Sequence, residues 1–155
     1  MKKVVLAVLV MGLAAGIGAG QAFAQEKKVE FGLNLGFMTT DFEDFGVALS
    51  PQVDIHVTKG FMISPEAMVV TDFQLSGALI FPGVMFNYTG KGFFAGAGAV
   101  VPIMISDYWS GTGNILPKLN IGYRGRHVGL TAYLLTSTAQ LFSTNLVGAT
   151  IGYRF

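Results

Sequence analysis

Ser50, Asp54 and His56 stand at alternate positions of one stretch of the chain. Nucleophile, acid and base are the residue types of a hydrolytic triad. Their spacing argues against that chemistry. At a strand rise of about 3.3 Å per residue, Asp54 and His56 have backbones about 6.6 Å apart, and Ser50 is further away. A nucleophile and its base need hydrogen-bond reach, so these three are expected to hydrogen-bond inside a fold. His56 and His127, the two histidines, both fall near tight turns. Two imidazoles without a third ligand do not make a metal centre. Cysteine is absent, which excludes thiolate chemistry and disulfides. Asn87, Tyr88 and Thr89 match a glycosylation sequon, which is discounted because it falls at a tight turn. The residues therefore predict no enzyme, no metal and no cofactor.

The larger constellation is ionic. Glu30, Asp54, Glu66, Lys118, Arg124 and Arg154 all occupy the small or polar parity of their segments. Three acids face three bases. An unpaired buried charge is costly, so the balance points to mutual pairing. The expected arrangement has two layers. Glu30, Asp54, Arg124 and Arg154 lie low, with Glu30 and Arg154 at similar height; Glu66 and Lys118 lie near the middle on opposing strands.

What must position these groups is a set of strands. From residue 29 onward the chain alternates large apolar with small or polar residues, which is the strand period. Eight such segments are read: 29–37, 46–57, 61–71, 76–88, 93–105, 114–124, 127–136 and 145–155. Each has about the 9–11 residues of a tilted membrane strand, or slightly more. An even count is the rule for bacterial single-chain barrels. Tight turns at 58–60, 89–92 and 125–126 alternate with longer connections at 39–45, 72–75, 106–113 and 137–144. Short periplasmic turns and longer external loops have this pattern, which places both termini in the periplasm. The longer connections carry Asp41, Glu43, Asp44, Asp72 and Asp107; the tight turns carry Lys59, Lys91 and Arg126.

The apolar parity is expected to face lipid, because Lys or Arg at mid-membrane on that face costs roughly 2–4 kcal/mol. A soluble barrel with the other face outward would expose Gly32, Gly36, Gly96, Gly98, Gly122, Gly129, Gly148 and Gly152, which suit a crowded lumen better. Aromatics gather at the segment ends, as in interfacial girdles. Phe37, Phe45, Phe73, Tyr108 and Trp109 mark one end; Phe61, Phe86, Tyr88, Phe93, Tyr123, Tyr153 and Phe155 mark the other.

On the lumen parity the outer half is apolar. It includes Met38, Met68, Leu79, Phe81, Met104, Leu116 and Leu135, which is either a packed core or a slot for a hydrocarbon chain. All five prolines, Pro51, Pro65, Pro82, Pro102 and Pro117, fall inside predicted strands. Proline cannot donate to the ladder, so these positions mark bulges or weak seams.

Composition agrees with a membrane strand protein. The chain has 155 residues, room for one domain, with 52% hydrophobic and 12% charged residues, against about 25% charged in soluble domains. Beyond the N-terminus no apolar run approaches the ~20 residues of a spanning helix. The formal net charge of +1 and the lack of a basic block leave no footprint for nucleic acid. Lys2 and Lys3, the apolar stretch from residue 4 to about 19, and Ala22-Phe23-Ala24 read as a secretory signal peptide over 1–24. The barrel is then expected over 25–155.

The chain ends Ile151-Gly152-Tyr153-Arg154-Phe155. A terminal Phe with apolar residues at every second position resembles the assembly signal of outer-membrane barrels, carried here by Tyr153 and Phe155. With eight segments, the mature chain resembles the small OmpA/OmpX-type outer-membrane β-barrel superfamily. The resemblance spans nearly all of the mature sequence and rests on pattern. It implies an all-β, eight-stranded, antiparallel, up-and-down transmembrane barrel in the outer membrane of a Gram-negative bacterium. It further implies insertion by the outer-membrane assembly machinery, contact with outer-membrane lipid and lipopolysaccharide, and a monomeric state. No peptidoglycan-binding domain follows the barrel, so wall tethering is not expected, and the external loops are short for adhesive hairpins. The first functional reading is a structural or surface barrel with a charge-plugged lumen. The alternative is a conduit or binder for small hydrophobic molecules or acyl chains, since the apolar upper lumen is similar to that of OmpW-type barrels. A third reading, a lipid A-modifying enzyme, follows from similarity to the palmitoyltransferase barrels. That family uses His, Asp and Ser near the external face; Asp72 and Ser76 stand there, but no His does.

Overall fold

The computed structural model describes residues 29–40, 44–71, 77–106, 110–136 and 145–155. The expected signal peptide lies outside them. Among the described residues no helix is long and apolar enough to cross a membrane. The strands are β1 (Val29–Thr40), β2 (Asp44–Thr58), β3 (Phe61–Thr71), β4 (Gly77–Gly90), β5 (Phe93–Val100), β6 (Ile103–Ser106), β7 (Ser110–Thr112), β8 (Leu116–Arg124), β9 (Val128–Thr136) and β10 (Asn145–Arg154).

Every pairing is antiparallel, and the sheet closes on itself. Strand β1 pairs with β2 on one side and β10 on the other, while β3 pairs with β4 to complete the ring. The ring has eight staves, because β5 with β6 forms one and β7 with β8 another. Closure satisfies every edge, as a sheet in lipid requires.

The fifth and sixth staves depart from the sequence reading. One strand was expected over 93–105 and a loop over 106–113. Instead the fifth stave breaks at Val101 and Pro102, and residues 110–112 form β7 against β6. Pro102 has no N–H to give. The pairing steps from Val100 with Leu116 to Ile103 with Thr112, a slip of one residue that marks a bulge. Val101 N still donates to Pro82 O (2.9 Å), and Gly113 N donates to Pro102 O (2.8 Å). The four other prolines lie within strands. At the far end β1 runs to Thr40 and β2 starts at Asp44, so that connection is shorter than expected.

The two parities separate as the alternation demands. Leu35, Ile121, Leu130 and Ile151 point outward and are each more than half exposed, whereas Met68, Phe81 and Leu135 face the lumen and are buried. The outward aromatics meet in pairs. At the short-turn end Phe61 stacks on Phe86 (6.5 Å), while Phe93 with Tyr123 (5.2 Å) and Tyr153 with Phe155 (5.2 Å) meet edge to face; at the other end Phe37 meets Phe45 (6.4 Å). Phe73, Tyr108 and Trp109 lie outside the described residues.

Candidate functional site: the barrel lumen

The lumen fills from the short-turn end upward. Arg124 projects inward from the end of β8 and bridges two carboxylates. Its Nη2 lies 2.7 Å from Glu30 Oε2 and 2.6 Å from Asp54 Oδ2, and its Nη1 reaches Met62 Sδ at 3.0 Å. Asp54, fully buried on β2, is the hub. It also accepts from Arg154 Nε (2.9 Å) and Ser64 Oγ (2.7 Å), and from Gln52 Nε2. A buried carboxylate with this many donors is compensated on both oxygens, the condition a buried charge needs.

Arg154 joins the expected low layer through Asp54, although the β1–β10 register sets it opposite Gly32, two residues above Glu30. Its guanidinium lies along the wall, donating to Asp54 and, through Nη1, to Asn34 Oδ1 at 2.9 Å. Glycine makes this path open. A Cβ on Gly32 would sit 2.3 Å from Arg154 Nη1, and one on Gly152 would sit 2.0 Å from Asn34 Oδ1.

Glu66 and Lys118 form the next layer. They come from β3 and β8, which stand across the ring from each other, and Lys118 Nζ donates to Glu66 Oε1. Lys118 Nζ also lies 4.7 Å from the centre of the Tyr133 ring, within cation–π range. Tyr133 in turn donates through its hydroxyl to Phe37 O (3.2 Å).

Above this pair the lumen is a hydrophobic core. Met38, Ala48, Met68, Val70, Phe81, Val100, Tyr133 and Leu135 pack together, with Leu79, Leu116 and Leu146 against them. Met104 is outside this cluster. It sits beside Leu79 near the rim and is 40% exposed, because the Pro102 break carries β6 out to the barrel mouth. Among the polar side chains beside Glu66 and Lys118 is a void of about 20 Å³, lined by residues including Ser50, Asn120 and Tyr133. That is far below the roughly 300 Å³ of a small-molecule pocket.

The single-strand triad is not assembled. Asp54 is occupied by the arginines and Ser64, Ser50 Oγ is buried without a partner, and His56 Nε2 lies 3.7 Å from Glu30 Oε1. His127 belongs to a different environment, stacked on Tyr153 at 5.9 Å. The sequon fails on access: Asn87 is fully buried and donates to Ser64 Oγ (3.1 Å). Asp72 and Ser76 lie outside the described residues. Sequence reasoning did not single out Asn34, Gln52, Ser64 or Tyr133 as partners. Each stands at a lumen parity beside a charged position, and that parity was the signal available.

No family model matches the chain, and no curated protein matches it. Solved structures do. Neisserial surface protein A superposes with a TM-score of 0.54 at 10% identity, covering 81% of this chain and 94% of that one. The N-terminal β-barrel domain of Pseudomonas aeruginosa OprF gives 0.49 at 11% identity, covering 81% and 97%. A de novo designed transmembrane β-barrel gives 0.48 at 14%, covering 84% and 98%. The fold rests on the closed ring and the neisserial match. The chain has the fold of the small, eight-stranded outer-membrane β-barrels.

Proposed function

We propose that the protein is a non-enzymatic integral barrel of a Gram-negative outer membrane, with a structural or surface role and a closed lumen. The observation that carries this reading is the filling of the lumen. Charge pairs close its lower half, and a packed apolar core closes its upper half. The same packing counts against a hydrophobic conduit, because Phe81, Met68 and Leu135 occupy the slot an acyl chain would need.

In this reading lipid covers the outward apolar face. The short turns and both termini are periplasmic, and the longer connections meet the lipopolysaccharide. Tyr153 and Phe155, exposed on the outer surface, present the signal to the assembly machinery. The chain is a monomer, since an eight-stranded barrel closes on itself.

Fractionation and folding test this. The expected result is recovery with the outer membrane, and a β-rich species that forms only in detergent or lipid and changes gel mobility on heating. A stable, water-soluble barrel without detergent would overturn the reading.

A further inference from the structure

Among the described residues, three basic residues remain after the lumen charges have paired. Lys59, Lys91 and Arg126 are exposed, one on each short hairpin turn: β2–β3, β4–β5 and β8–β9. Among the described residues none has a carboxylate partner, because Glu30, Asp54 and Glu66 are all engaged within the lumen. All three line one cavity of about 370 Å³ at the short-turn mouth, together with Arg124 and Glu30 from the lower charge layer. His56 lines it too, and its Nε2 is buried without a hydrogen-bond partner.

The frame that carries these cations is stitched together. Thr89 N donates to Gly60 O (2.9 Å), Arg124 N to Gly92 O (2.6 Å), and Arg154 N to His127 O (2.7 Å). Each of these turns is thereby tied to a neighbouring strand end. Lys91 and Gly92 have φ of 51° and 87°, the left-handed pair of a tight two-residue hairpin turn. The cations are therefore gathered around a cavity whose backbone is already fixed.

We propose that this mouth binds a phosphate-bearing anion, held by Lys59, Lys91 and Arg126. The cavity is within the size range of small-ligand sites. Several cations, none of them paired with a carboxylate, suit a multivalent oxyanion, which accepts charge-assisted hydrogen bonds on each oxygen. Glu30 does not oppose this, since Arg124 neutralises it. Phe93 lines the cavity and pairs with Tyr123 on the outer surface. On the membrane reading above, that aromatic pair sets the mouth at headgroup level, where phosphates are the abundant anions. The phosphate then belongs to a phospholipid headgroup or to a soluble phosphate ester.

The test titrates inorganic pyrophosphate calorimetrically into the full chain folded in a neutral maltoside detergent. Because this arm uses no bilayer, it stands apart from the membrane assignment. Saturable one-to-one binding that weakens with added salt is expected. Replacing all three cations (K59Q, K91Q and R126Q together) should weaken it about tenfold or more, with the heat-dependent gel shift retained. Nanodiscs separate the sources. Weaker apparent pyrophosphate binding in phosphatidylglycerol discs than in phosphatidylcholine discs assigns the site to a lipid headgroup; equal binding assigns it to a soluble phosphate ester. No saturable binding by the wild-type chain, or unchanged binding by the triple variant, would overturn the proposal.

Discussion

Lys118 on β8 donates to Glu66 on β3 across the width of the lumen, and the two side chains are 4% and 5% exposed. Strands β4 and β5 separate them around the ring, so no ladder hydrogen bond holds these two staves together. The pair does so through the interior.

Breaking this pair from one side should cost more than removing both charges. Lys118→Met leaves a buried carboxylate uncompensated, which typically costs about 3–5 kcal/mol. The double variant Glu66→Gln with Lys118→Met should cost clearly less. Urea unfolding from lipid vesicles measures both. Simple additivity of the single effects would show that the two residues do not act as partners.

The lower layer should respond unequally. Asp54 is fully buried and serves Arg124 and Arg154 together, whereas Glu30 is 37% exposed and serves Arg124. Asp54→Asn is expected to cost about 3–5 kcal/mol because two arginines lose their shared acceptor. Glu30→Gln should cost about 1 kcal/mol or less, as exposed pairs do. Equal losses in unfolding measurements would contradict Asp54 as the hub.

Much of this was legible in the alternation of the sequence. Parity alone separates Leu35 and Ile121 from Met68 and Phe81, because one residue of shift would exchange the two faces. What parity does not carry is height. The tilt and shear of a closed barrel decide which residues of neighbouring staves are level. That is why Arg154 shares its expected layer with Asp54 but sits opposite Gly32, where it also reaches Asn34. The prolines were legible as marks of bulges or weak seams, but not which of the five would interrupt its strand. The segment through Pro102 reads as one strand, yet the ladder breaks there and Met104 is carried to the rim. Tyr133 stands at a lumen parity, but parity does not say what its hydroxyl meets, and that partner is Phe37 O.

The prolines make a local expectation. Along the β2–β3 seam, pairing runs through Val47–Leu49, then Gln52 alone, then Ile55 and His56, with gaps at Pro51 and Pro65. The β1–β2 seam is paired continuously from Val29 to Thr40. Amides of residues 52–54 and 66–68 should therefore exchange with deuterium faster than those of residues 32–38 in β1, since local opening follows ladder density. Uniform protection across both seams would remove the case for a weak stave junction.

Orientation can be read chemically. Cysteine introduced at Lys59 lies on a short turn, and cysteine at Asp44 lies at the opposite end of β2. In intact cells an impermeant maleimide should label the Asp44 position and leave the Lys59 position unmodified. Labelling of the Lys59 position alone would invert the proposed topology.

The closed lumen is the central claim, and ion conductance across a planar bilayer tests it most directly. The folded wild-type barrel should give no sustained stepwise conductance above the lipid baseline, because Asp54, Arg124, Arg154, Glu66 and Lys118 are mutually paired beneath a packed core. Regular, reproducible conductance steps from the wild-type chain would contradict a plugged barrel.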